Sequence, residues 1–401
     1  MRRIPFLLFF ILLFLLSGPG SIAQGRRDKA AVDSLWDKAA NLGRHGWFEE
    51  SNAVFQDILD NYKLSRRERR SAYYWLKRNA QLSGDYQASC DYAEKADGSF
   101  DVLCLSLASL PVQSIERPDR DVSVPYQLDS VFKDGKYRGG VLRIPVVFDG
   151  RREWLILDNG SAKFSAVTES FAAAHHIRPA GATGKGRGST GELNSYWIGI
   201  ADSLSVGDLL VRNLLFAVYP DGSMENPYLS FDSILGSNFF RLAGEMRIDN
   251  QNHMVTFPWK YEDRTSNLTL NGGDQHFVDV VVMGDTLRMQ LDLGAISTDL
   301  SSHYYKRNKK AVRTACQADT TRVFGVGGSR AATVYRVKEL PLEACEGCFV
   351  KENAAIFTDP MRDDPGVYGK LGADFILHFD TVILNLDRMY LYVLSAEDPS
   401  K

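Results

Sequence analysis

Two aspartates occupy matching positions in two similar stretches of the sequence. Apolar runs over residues 141–148 and 277–282 are each followed by a glycine turn and a second apolar run, which ends in Asp158 or Asp292. The interval from the turn glycine to the aspartate is 8 residues in both stretches. Apolar runs separated by glycine turns predict β-hairpins, so each hairpin is expected to end in a carboxylate.

The match continues downstream of both aspartates. Each is followed by a helix-compatible stretch, a glycine-rich segment, further strands and a Leu-Gly pair that opens an apolar turn. The glycine of that pair is Gly236 or Gly372, which lies 78 residues after Asp158 or 80 residues after Asp292. This agreement over roughly 130 residues predicts an internal duplication into two like lobes.

Two like lobes related by a pseudo-twofold axis bring one carboxylate from each lobe to that axis. Like charges a few ångströms apart cannot both ionise, so the pair shares one proton. The ionised member then takes a proton from water while the protonated member donates to a peptide carbonyl. The predicted chemistry is amide hydrolysis without a metal or a covalent intermediate.

At these residues the chain resembles the aspartic proteases of the pepsin and retropepsin clan, over about residues 136–395. The family signature is a hydrophobic strand ending in Asp-Thr-Gly and then Ser or Ala, once per lobe. Asp158-Asn159-Gly160-Ser161 and Asp292-Leu293-Gly294-Ala295 align with that signature. The resemblance implies that Asp158 and Asp292 form the catalytic dyad, that Gly160 and Gly294 allow close backbone approach, and that the fold is bilobal and all-β.

The two signatures depart from the family at the threonine, whose hydroxyl normally reaches across the axis and holds the carboxylates coplanar. Asn159 retains a polar side chain at that position, but Leu293 has no donor or acceptor. The reciprocal contact is therefore expected to be at best half made. Ser161 stands where the pepsin branch orients the outer carboxylate, a role that Ala295 is unable to fill.

Glycine-rich segments in both lobes resemble the flaps of retropepsins, which close over a bound substrate. The predicted flap residues are Gly188, Ser189 and Thr190 in the first lobe and Gly325, Val326, Gly327 and Gly328 in the second. An exposed hairpin without ligand contact is the alternative. The Gly-x-Gly-x-x-Gly pattern at 186–191 precedes a predicted strand rather than a helix, so it does not indicate a dinucleotide site.

Residues 28–110 show helical spacing of apolar residues, and Ser65-Arg66-Arg67-Glu68 predicts a capping box. Gly46 and Gly84, 38 residues apart, begin similar Gly-x-aromatic segments that resemble tetratricopeptide (TPR) hairpins. Two functions are open for this segment, a docking module for a protein partner or a brace on the next domain. The interhelical core is expected to contain Trp36, Trp47, Phe48, Phe55, Tyr73, Tyr74 and Trp75.

The first residues have the pattern of an export signal. Met1-Arg2-Arg3 precedes a short apolar run over 4–16, and Ser21-Ile22-Ala23 supplies small residues for cleavage after Ala23. We therefore expect an exported protein, either secreted or located in the periplasm of a bacterial envelope, with no stable membrane span after cleavage. An uncleaved anchor is the alternative.

Export permits disulfides among Cys90, Cys104, Cys316, Cys345 and Cys348, of which Cys90 and Cys104 are the expected pair. The Cys345-x-x-Cys348 spacing lies among strand-like segments, which disfavours thioredoxin-type redox chemistry. No HExxH motif occurs, and His175-His176 are interpreted as packing or surface residues, so neither a metal nor a cofactor is expected.

The 47 Lys and Arg residues against 50 Asp and Glu residues leave no basic excess, which argues against a nucleic-acid partner. The expected fold is a bilobal all-β aspartic-protease-like domain after a small all-α TPR-like domain. The expected boundaries are a signal peptide at 1–23, helices at 24–112, a linker at 113–135, and lobes at 136–258 and 268–397.

Three functions remain open from the sequence. The first is an aspartic endopeptidase that acts on polypeptides through Asp158 and Asp292. The second is a catalytically impaired protease fold that binds peptides or serves as a scaffold. In the third, the helical segment is the working part and the β lobes support it.

Overall fold

The computed structural model describes residues 28–98, 102–133, 136–161, 163–226, 229–230, 232–270, 274–360 and 366–395. Within these ranges a helical segment precedes a part built mostly of β-strands, as the sequence predicts. The predicted signal peptide lies outside the described residues. None of the described helices has both the length and the apolar character that crossing a membrane requires.

The helical segment consists of α1 (Lys29–Arg44), α2 (Phe48–Asn61), α3 (Arg66–Ser83), α4 (Tyr86–Asp97) and α5 (Val102–Ala108). The predicted capping box begins α3: the Ser65 hydroxyl accepts from the Glu68 N–H, and the Glu68 carboxylate accepts from the Ser65 N–H. Gly46 and Gly84 lie in the turns after α1 and α3 with φ of +78° and +83°. Glycine adopts this left-handed conformation without a steric penalty, which explains why both turns contain it. The TPR-like assignment itself stays a prediction.

The interhelical core forms around Phe55, whose ring contacts Trp36 edge-on at 5.2 Å and stacks on Trp75 at 5.6 Å between ring centroids. The prediction that Trp47 and Tyr74 belong to this core is wrong, because their exposed fractions are 50% and 39%. Trp47 precedes α2 at its N-cap position. The Tyr74 hydroxyl accepts from Arg70 and donates to Asp97, which form an ion pair at the surface.

The helical segment packs on both ends of the β part. A Cβ on Gly46 would lie 2.7 Å from Cγ of Met389, so the turn between α1 and α2 packs against the turn that contains Met389. Helix α1 also contacts the strand Leu268–Leu270, and α5 contacts the strand Arg178–Arg187. The observed packing therefore joins the helices to both halves of the β part.

The strands follow in chain order. They are β1 (Ser114–Glu116), β2 (Val122–Pro125), β3 (Gln127–Lys133), β4 (Lys136–Phe148), β5 (Arg151–Leu157), β6 (Ser165–Thr168), β7 (Arg178–Arg187), β8 (Leu193–Val206), β9 (Leu209–Tyr219), β10 (Glu225–Asn226), β11 (Leu229–Ser230), β12 (Ser233–Leu235), β13 (Glu245–Asp249), β14 (Met254–Phe257), β15 (Leu268–Leu270), β16 (His276–Val282), β17 (Asp285–Leu291), β18 (Asp299–Leu300), β19 (Gln317–Gly325), β20 (Gly328–Ala344), β21 (Gly347–Phe357), β22 (Gly369–Leu371), β23 (Thr381–Asn385) and β24 (Tyr390–Leu394). Four helices lie among the described strands: α6 (Glu169–Ala174), α7 (Ser237–Ala243), α8 (Ser302–Ala315) and α9 (Ala373–Ile376). The predicted linker thus contributes β1, β2 and β3 to sheets.

Two large sheets share the strand pairings around one hairpin each. The first runs β1-β9-β6-β12-β5-β4-β8-β7, and β3 also pairs with β4. The second runs β15-β16-β17-β22-β18-β21-β20-β19. In each sheet a hairpin (β4–β5 or β16–β17) pairs in parallel with a short strand (β12 or β22), which pairs antiparallel with β6 or β18. The two predicted hairpins are therefore observed, each with the same neighbouring strand pairings.

A third sheet joins the two halves of the β part. Its order is β2-β14-β13-β23-β24, with β13 from the first half antiparallel to β23 from the second. Glu245 of β13 is fully buried there and accepts hydrogen bonds from the Tyr390 hydroxyl (2.5 Å) and from Nε of Arg247 (2.6 Å). A buried carboxylate requires such partners because its unpaired form is costly. This pair links β13 to β24 across the junction.

Replacing Tyr390 with phenylalanine should lower the free energy of unfolding by about 1–3 kcal/mol, because the buried Glu245 carboxylate loses one of its two donors. Urea unfolding followed by fluorescence measures the change. Tyr392→Phe is the matched control: its hydroxyl donates to the Thr265 carbonyl at an exposed site, so its effect should stay within about 0.5 kcal/mol. Equal effects of both variants would contradict the importance of the junction pair.

Candidate active site

Asp158 lies directly after β5, where the chain turns away from the sheet. Its N–H donates to the Leu235 carbonyl at 3.0 Å, which continues the pairing of β5 with β12. Its carboxylate Oδ1 accepts from the N–H groups of Gly160 (2.7 Å) and Ser161 (3.2 Å). The turn itself thus fixes the orientation of the carboxyl group.

Asp292 follows β17 with the same backbone arrangement. Its N–H donates to the Leu371 carbonyl at 2.9 Å, and its own carbonyl accepts from the Ala295 N–H at 3.2 Å. The corresponding bond in the first turn joins the Ser161 N–H to the Asp158 carbonyl, also at 3.2 Å. We call residues 158–161 the first Asp loop and residues 292–295 the second Asp loop.

The two Asp loops touch each other through their glycines. A Cβ on Gly160 would lie 2.5 Å from Oδ1 of Asp292 and 2.9 Å from Oδ1 of Asp158. A Cβ on Gly294 would overlap the carboxyl group of Asp158. Each carboxyl therefore lies against the glycine of the opposite loop, and any larger residue would separate the pair. The structure brings together the two aspartates that the sequence predicts as a dyad.

Asn159 makes two hydrogen bonds across the dyad, although the sequence predicts a reciprocal contact that is at best half made. Its side chain is fully buried; Nδ2 donates to the Leu291 carbonyl at 2.8 Å, and Oδ1 accepts from the Leu293 N–H at 2.8 Å. One amide thus supplies both a donor and an acceptor to the opposite loop. Leu293 offers no polar group in return, and its side chain is buried in the main hydrophobic core. The cross-link is made from one side only, by two hydrogen bonds.

The Leu-Gly turns pack behind the two loops and hold them in the same way. The Ser161 carbonyl accepts from the Ser237 N–H at 2.9 Å, and the Ala295 carbonyl accepts from the Ala373 N–H at 2.7 Å. The Ser161 hydroxyl donates to the Phe164 carbonyl at 2.8 Å, so it is the N–H of Ser161, and not its hydroxyl, that reaches the Asp158 carboxylate.

A hydroxyl group completes each support. Ser165 accepts from the Gly236 N–H at 3.0 Å, and Thr298 accepts from the Gly372 N–H at 3.0 Å. A Cβ on Gly236 would overlap the backbone of the first Asp loop region, so this turn also needs glycine. The loops are therefore fixed from behind as well as across the axis.

The environment of the dyad favours a shared proton. Burial, followed by the charge of Asp292, raises the pKa of the Asp158 carboxyl well above its ordinary value. The N–H groups of Gly160 and Ser161 and the ammonium of Lys370 act in the opposite direction without cancelling the shift. Asp158 therefore keeps its proton to a higher pH than an ordinary carboxyl group does.

Two charged residues near the dyad were missed by sequence reasoning. Nζ of Lys370 lies 3.8 Å from Oδ2 of Asp292 and 3.9 Å from Oδ2 of Asp299. Burial raises the pKa of Asp299 to about 6, although Lys370 opposes the shift. The available signal was the position of Lys370, two residues before Gly372, where the first stretch has Ile234 two residues before Gly236.

The two predicted flaps are hairpin tips that meet each other. The first flap joins β7 to β8 over residues 188–192, and the second joins β19 to β20 over residues 326–327. A Cβ on Gly188 would overlap the Val326 backbone, and a Cβ on Gly325 would lie 2.9 Å from Cβ of Ser189. Nδ2 of Asn194 donates to the Val326 carbonyl at 3.2 Å.

The remaining flap residues complete this contact. The Gly327 N–H donates to the Ser223 carbonyl at 2.7 Å. Thr190 has an exposed fraction of 2%, and Gly328 has a φ of +106°. The two hairpin tips therefore contact each other, and their role as flaps over a ligand stays a prediction.

Other sequence features have structural roles. His175 is nearly buried between the rings of Phe148 and Phe171, with Nε2 3.2 Å from Glu153. The Cys345-Glu346 dipeptide forms the two-residue turn between β20 and β21, with φ of +54° and +68°. This hairpin lacks the helix that a thioredoxin motif requires.

Within the described ranges, no three His, Cys, Asp or Glu side chains cluster as a metal site. Cys90 is buried, but the Cys104 side chain lies outside the described residues, so the Cys90–Cys104 pairing stays a prediction.

Asn159→Leu should lower the free energy of unfolding by about 2–5 kcal/mol, because it leaves the buried Leu293 N–H and Leu291 carbonyl without partners. Asn159→Thr should recover much of that loss, since a hydroxyl both donates and accepts. Denaturant unfolding of the two variants beside the wild type measures the difference. Indistinguishable stabilities of the Leu and Thr variants would contradict a cross-link through this side chain.

A comparison with known protein families matches part of the chain. Residues 144–239 match the family model described as aspartyl protease, a segment that includes Asp158 and the Leu235-Gly236 pair. The comparison with curated proteins gave no match.

Among solved structures, the chain is similar to the crystal structure of edgp, with 12% sequence identity, coverage of 69% of this chain and 95% of that chain, and a TM-score of 0.40. It is also similar to a retropepsin-like aspartic protease from Rickettsia conorii, with 15% identity, coverage of 37% and 95%, and a TM-score of 0.23. Residues 144–239 of the chain are therefore similar to the aspartyl protease family.

Proposed function

We propose that the chain is an aspartic endopeptidase in which Asp158 and Asp292 activate water for attack on a peptide carbonyl. The observation that carries this proposal is the reciprocal packing of each carboxyl against the glycine of the opposite Asp loop. Two carboxyls at such close range share a proton, which provides one acid and one base at the same point.

The proposed reaction divides the two roles between the carboxyls. Asp292, which is partly exposed and has an ammonium nearby, is the ionised member and removes a proton from the attacking water. Asp158, whose pKa is raised, donates its proton to the carbonyl oxygen as the tetrahedral intermediate forms. Asp292 then gives its proton to the leaving nitrogen while Asp158 takes one back from a hydroxyl of the tetrahedral intermediate. The C–N bond breaks, a carboxylic acid and an amine are released, and Asp158 again holds the shared proton.

The proposed substrate is a polypeptide segment bound in extended form between the dyad and the two flaps. Because the flap tips contact each other, entry of a chain requires them to separate first. Lids of this kind exclude bulk water from the reacting groups after closure. The glycines of both tips supply the backbone freedom that such an opening needs.

The proposed organisation is a pair of duplicated lobes, at 136–258 and 268–397, behind a TPR-like helical domain at 24–112. The strand pairings that the two large sheets share and the matching hydrogen bonds behind both Asp loops support the duplication. The contacts of α1 and α5 with both sheets favour a bracing role for the helices over an independent docking module.

We also propose that the protein is exported to the periplasm or secreted, on the basis of the signal-like sequence at 1–23. The competing proposal of a disabled protease that only binds peptides depended on the loss of both family threonines. The two hydrogen bonds of Asn159 weaken that argument, because they connect the loops without a second polar partner.

Asp158→Asn and Asp292→Asn should each reduce cleavage of an unstructured protein by at least about a thousandfold, because neither variant retains a shared proton. Gel and mass-spectrometric analysis of the digest, with protein freed of its N-terminal segment, measures the loss. Asp279→Asn, at a carboxyl with an exposed fraction of 66%, is the matched control and should remain active. Folded wild-type protein that cleaves nothing between pH 3 and 7 would contradict the proposed function.

The pH profile of cleavage should extend above the ordinary carboxyl pKa of about 3.9, because the raised pKa of Asp158 retains the shared proton there. As pH rises through that pKa the proton is lost and kcat/KM should fall. Initial rates on a fluorogenic peptide from pH 3 to 8 measure the alkaline limb. A limb that is complete below pH 4.5 would contradict the raised pKa.

Joining the flap tips by a disulfide should stop cleavage of protein substrates. Ser189→Cys with Gly325→Cys places the two Cβ atoms 2.9 Å apart. The usual Cβ–Cβ separation across a disulfide is about 3.8 Å, so the tips must move apart by roughly 1 Å for the two sulfur atoms to bond. A Cys348→Ser background removes an exposed competing thiol. The oxidised double variant should be inactive and recover on reduction, while each single variant stays active. Full activity of the oxidised form would contradict a lid function.

A further inference from the structure

The three strands next to Asp158, β5, β6 and β12, have apolar residues at three neighbouring positions. Ile234 of β12 pairs with Ile156 of β5 and with Ala166 of β6. All three side chains are buried and belong to one apolar cluster, against which Val326 of the second flap also packs. No charge is present at these three positions of the first side.

The three corresponding positions on the Asp292 side are polar. Lys370 of β22 pairs with Gln290 of β17 and with Asp299 of β18. Strand for strand, this trio occupies the positions of the apolar trio on the first side, and Lys370 replaces Ile234. The strands next to Asp158 and those next to Asp292 therefore differ in charge at these positions although their backbone pairings agree.

The Lys370 ammonium stands between two carboxylates. It lies 3.8 Å from Asp292 and 3.9 Å from Asp299, and its side chain has an exposed fraction of 24%. The other charged groups next to Asp299 are Asp374 and Lys351, which pair with each other at 2.8 Å. The ion pair of Lys370 with Asp292 is therefore a direct electrostatic difference between the two dyad members.

A cation about 4 Å from a carboxylate favours its ionised form, and partial burial strengthens this effect. On the other side, Asp158 has an isoleucine in place of the lysine, and burial acts against its ionised form. Lys370 therefore adds a charge difference between the surroundings of the two carboxyls. In a dyad that shares a proton, such inequality decides which member holds it.

We propose that Lys370 is a positioning residue that polarises the dyad, so that Asp292 is the ionised member and the shared proton resides on Asp158. This inference rests on the proposed function for its catalytic consequence, but the electrostatic part stands without it. Asp299 competes with Asp292 for the same ammonium and thereby limits the effect of Lys370.

Lys370→Met tests the proposal, because methionine has a similar length without the charge and suits a position where the first side has isoleucine. Both limbs of the kcat/KM profile should move to higher pH by about one unit, since the ionised dyad loses its stabilising cation. Lys370→Arg keeps the charge and should restore most of the wild-type profile. Lys338→Met removes an exposed lysine of the same half and should leave the profile unchanged.

A second variant gives the opposite shift. Asp299→Asn removes the competing carboxylate and should move both limbs to lower pH, because Asp299 then no longer offsets the charge of Lys370. An unchanged profile in both Lys370→Met and Asp299→Asn, from folded protein, would overturn the proposal. A uniform loss of rate without any shift in pH would do the same, since it would indicate a structural role.

A measurement that needs no catalysis separates this inference from the proposed function. A carboxyl whose folded-state pKa is raised stabilises the fold at low pH and loses that contribution as pH rises through the folded pKa. Lys370 opposes the raised pKa of the Asp158 carboxyl, so without Lys370 that pKa rises further and the stability difference between wild type and Lys370→Met should widen from pH 4 to pH 8. Denaturant unfolding at each pH measures it, and a constant difference would overturn the proposal even if the wild type cleaves peptides.

Discussion

The close approach of two carboxyl groups is the constraint on which the rest of the structure depends. Two acids at short range repel once both are ionised, and their loops contain backbone groups that need partners in a buried setting. Glycine at 160 and 294 makes the approach sterically feasible, and the turns behind each loop hold it in place by hydrogen bonds. The two large sheets supply the strands that end at these loops, and the third sheet fixes one half against the other.

The pairing of like strands does not produce two like halves of the site. Asn159 crosses the axis with two hydrogen bonds, whereas Leu293 contributes only apolar packing. The strands next to Asp158 have aliphatic residues at three matching positions, whereas those next to Asp292 contain Lys370 between two carboxylates. A common backbone arrangement therefore supports unequal chemistry at the two aspartates, which suits a reaction that needs one acid and one base.

The helical segment and the flaps add contacts that lie far apart in the chain. The α1–α2 turn rests on the turn before β24, and α5 packs on β7, whose hairpin ends in the first flap. This hairpin in turn touches the second flap. The helices are thus connected to the flap tips through a chain of packing contacts.

The sequence by itself determined the features that depend on local spacing. Apolar runs around glycine turns predicted the hairpins that end in Asp158 and Asp292, Ser65 with Glu68 predicted the cap of α3, and glycine-rich segments predicted the flap tips. Only the tertiary structure decided what depends on residues distant in the chain: the two bonds of Asn159, the exposure of Trp47, and the ammonium of Lys370 beside Asp292. Strand register and sheet order set these contacts, and neither is encoded in the spacing of any single segment.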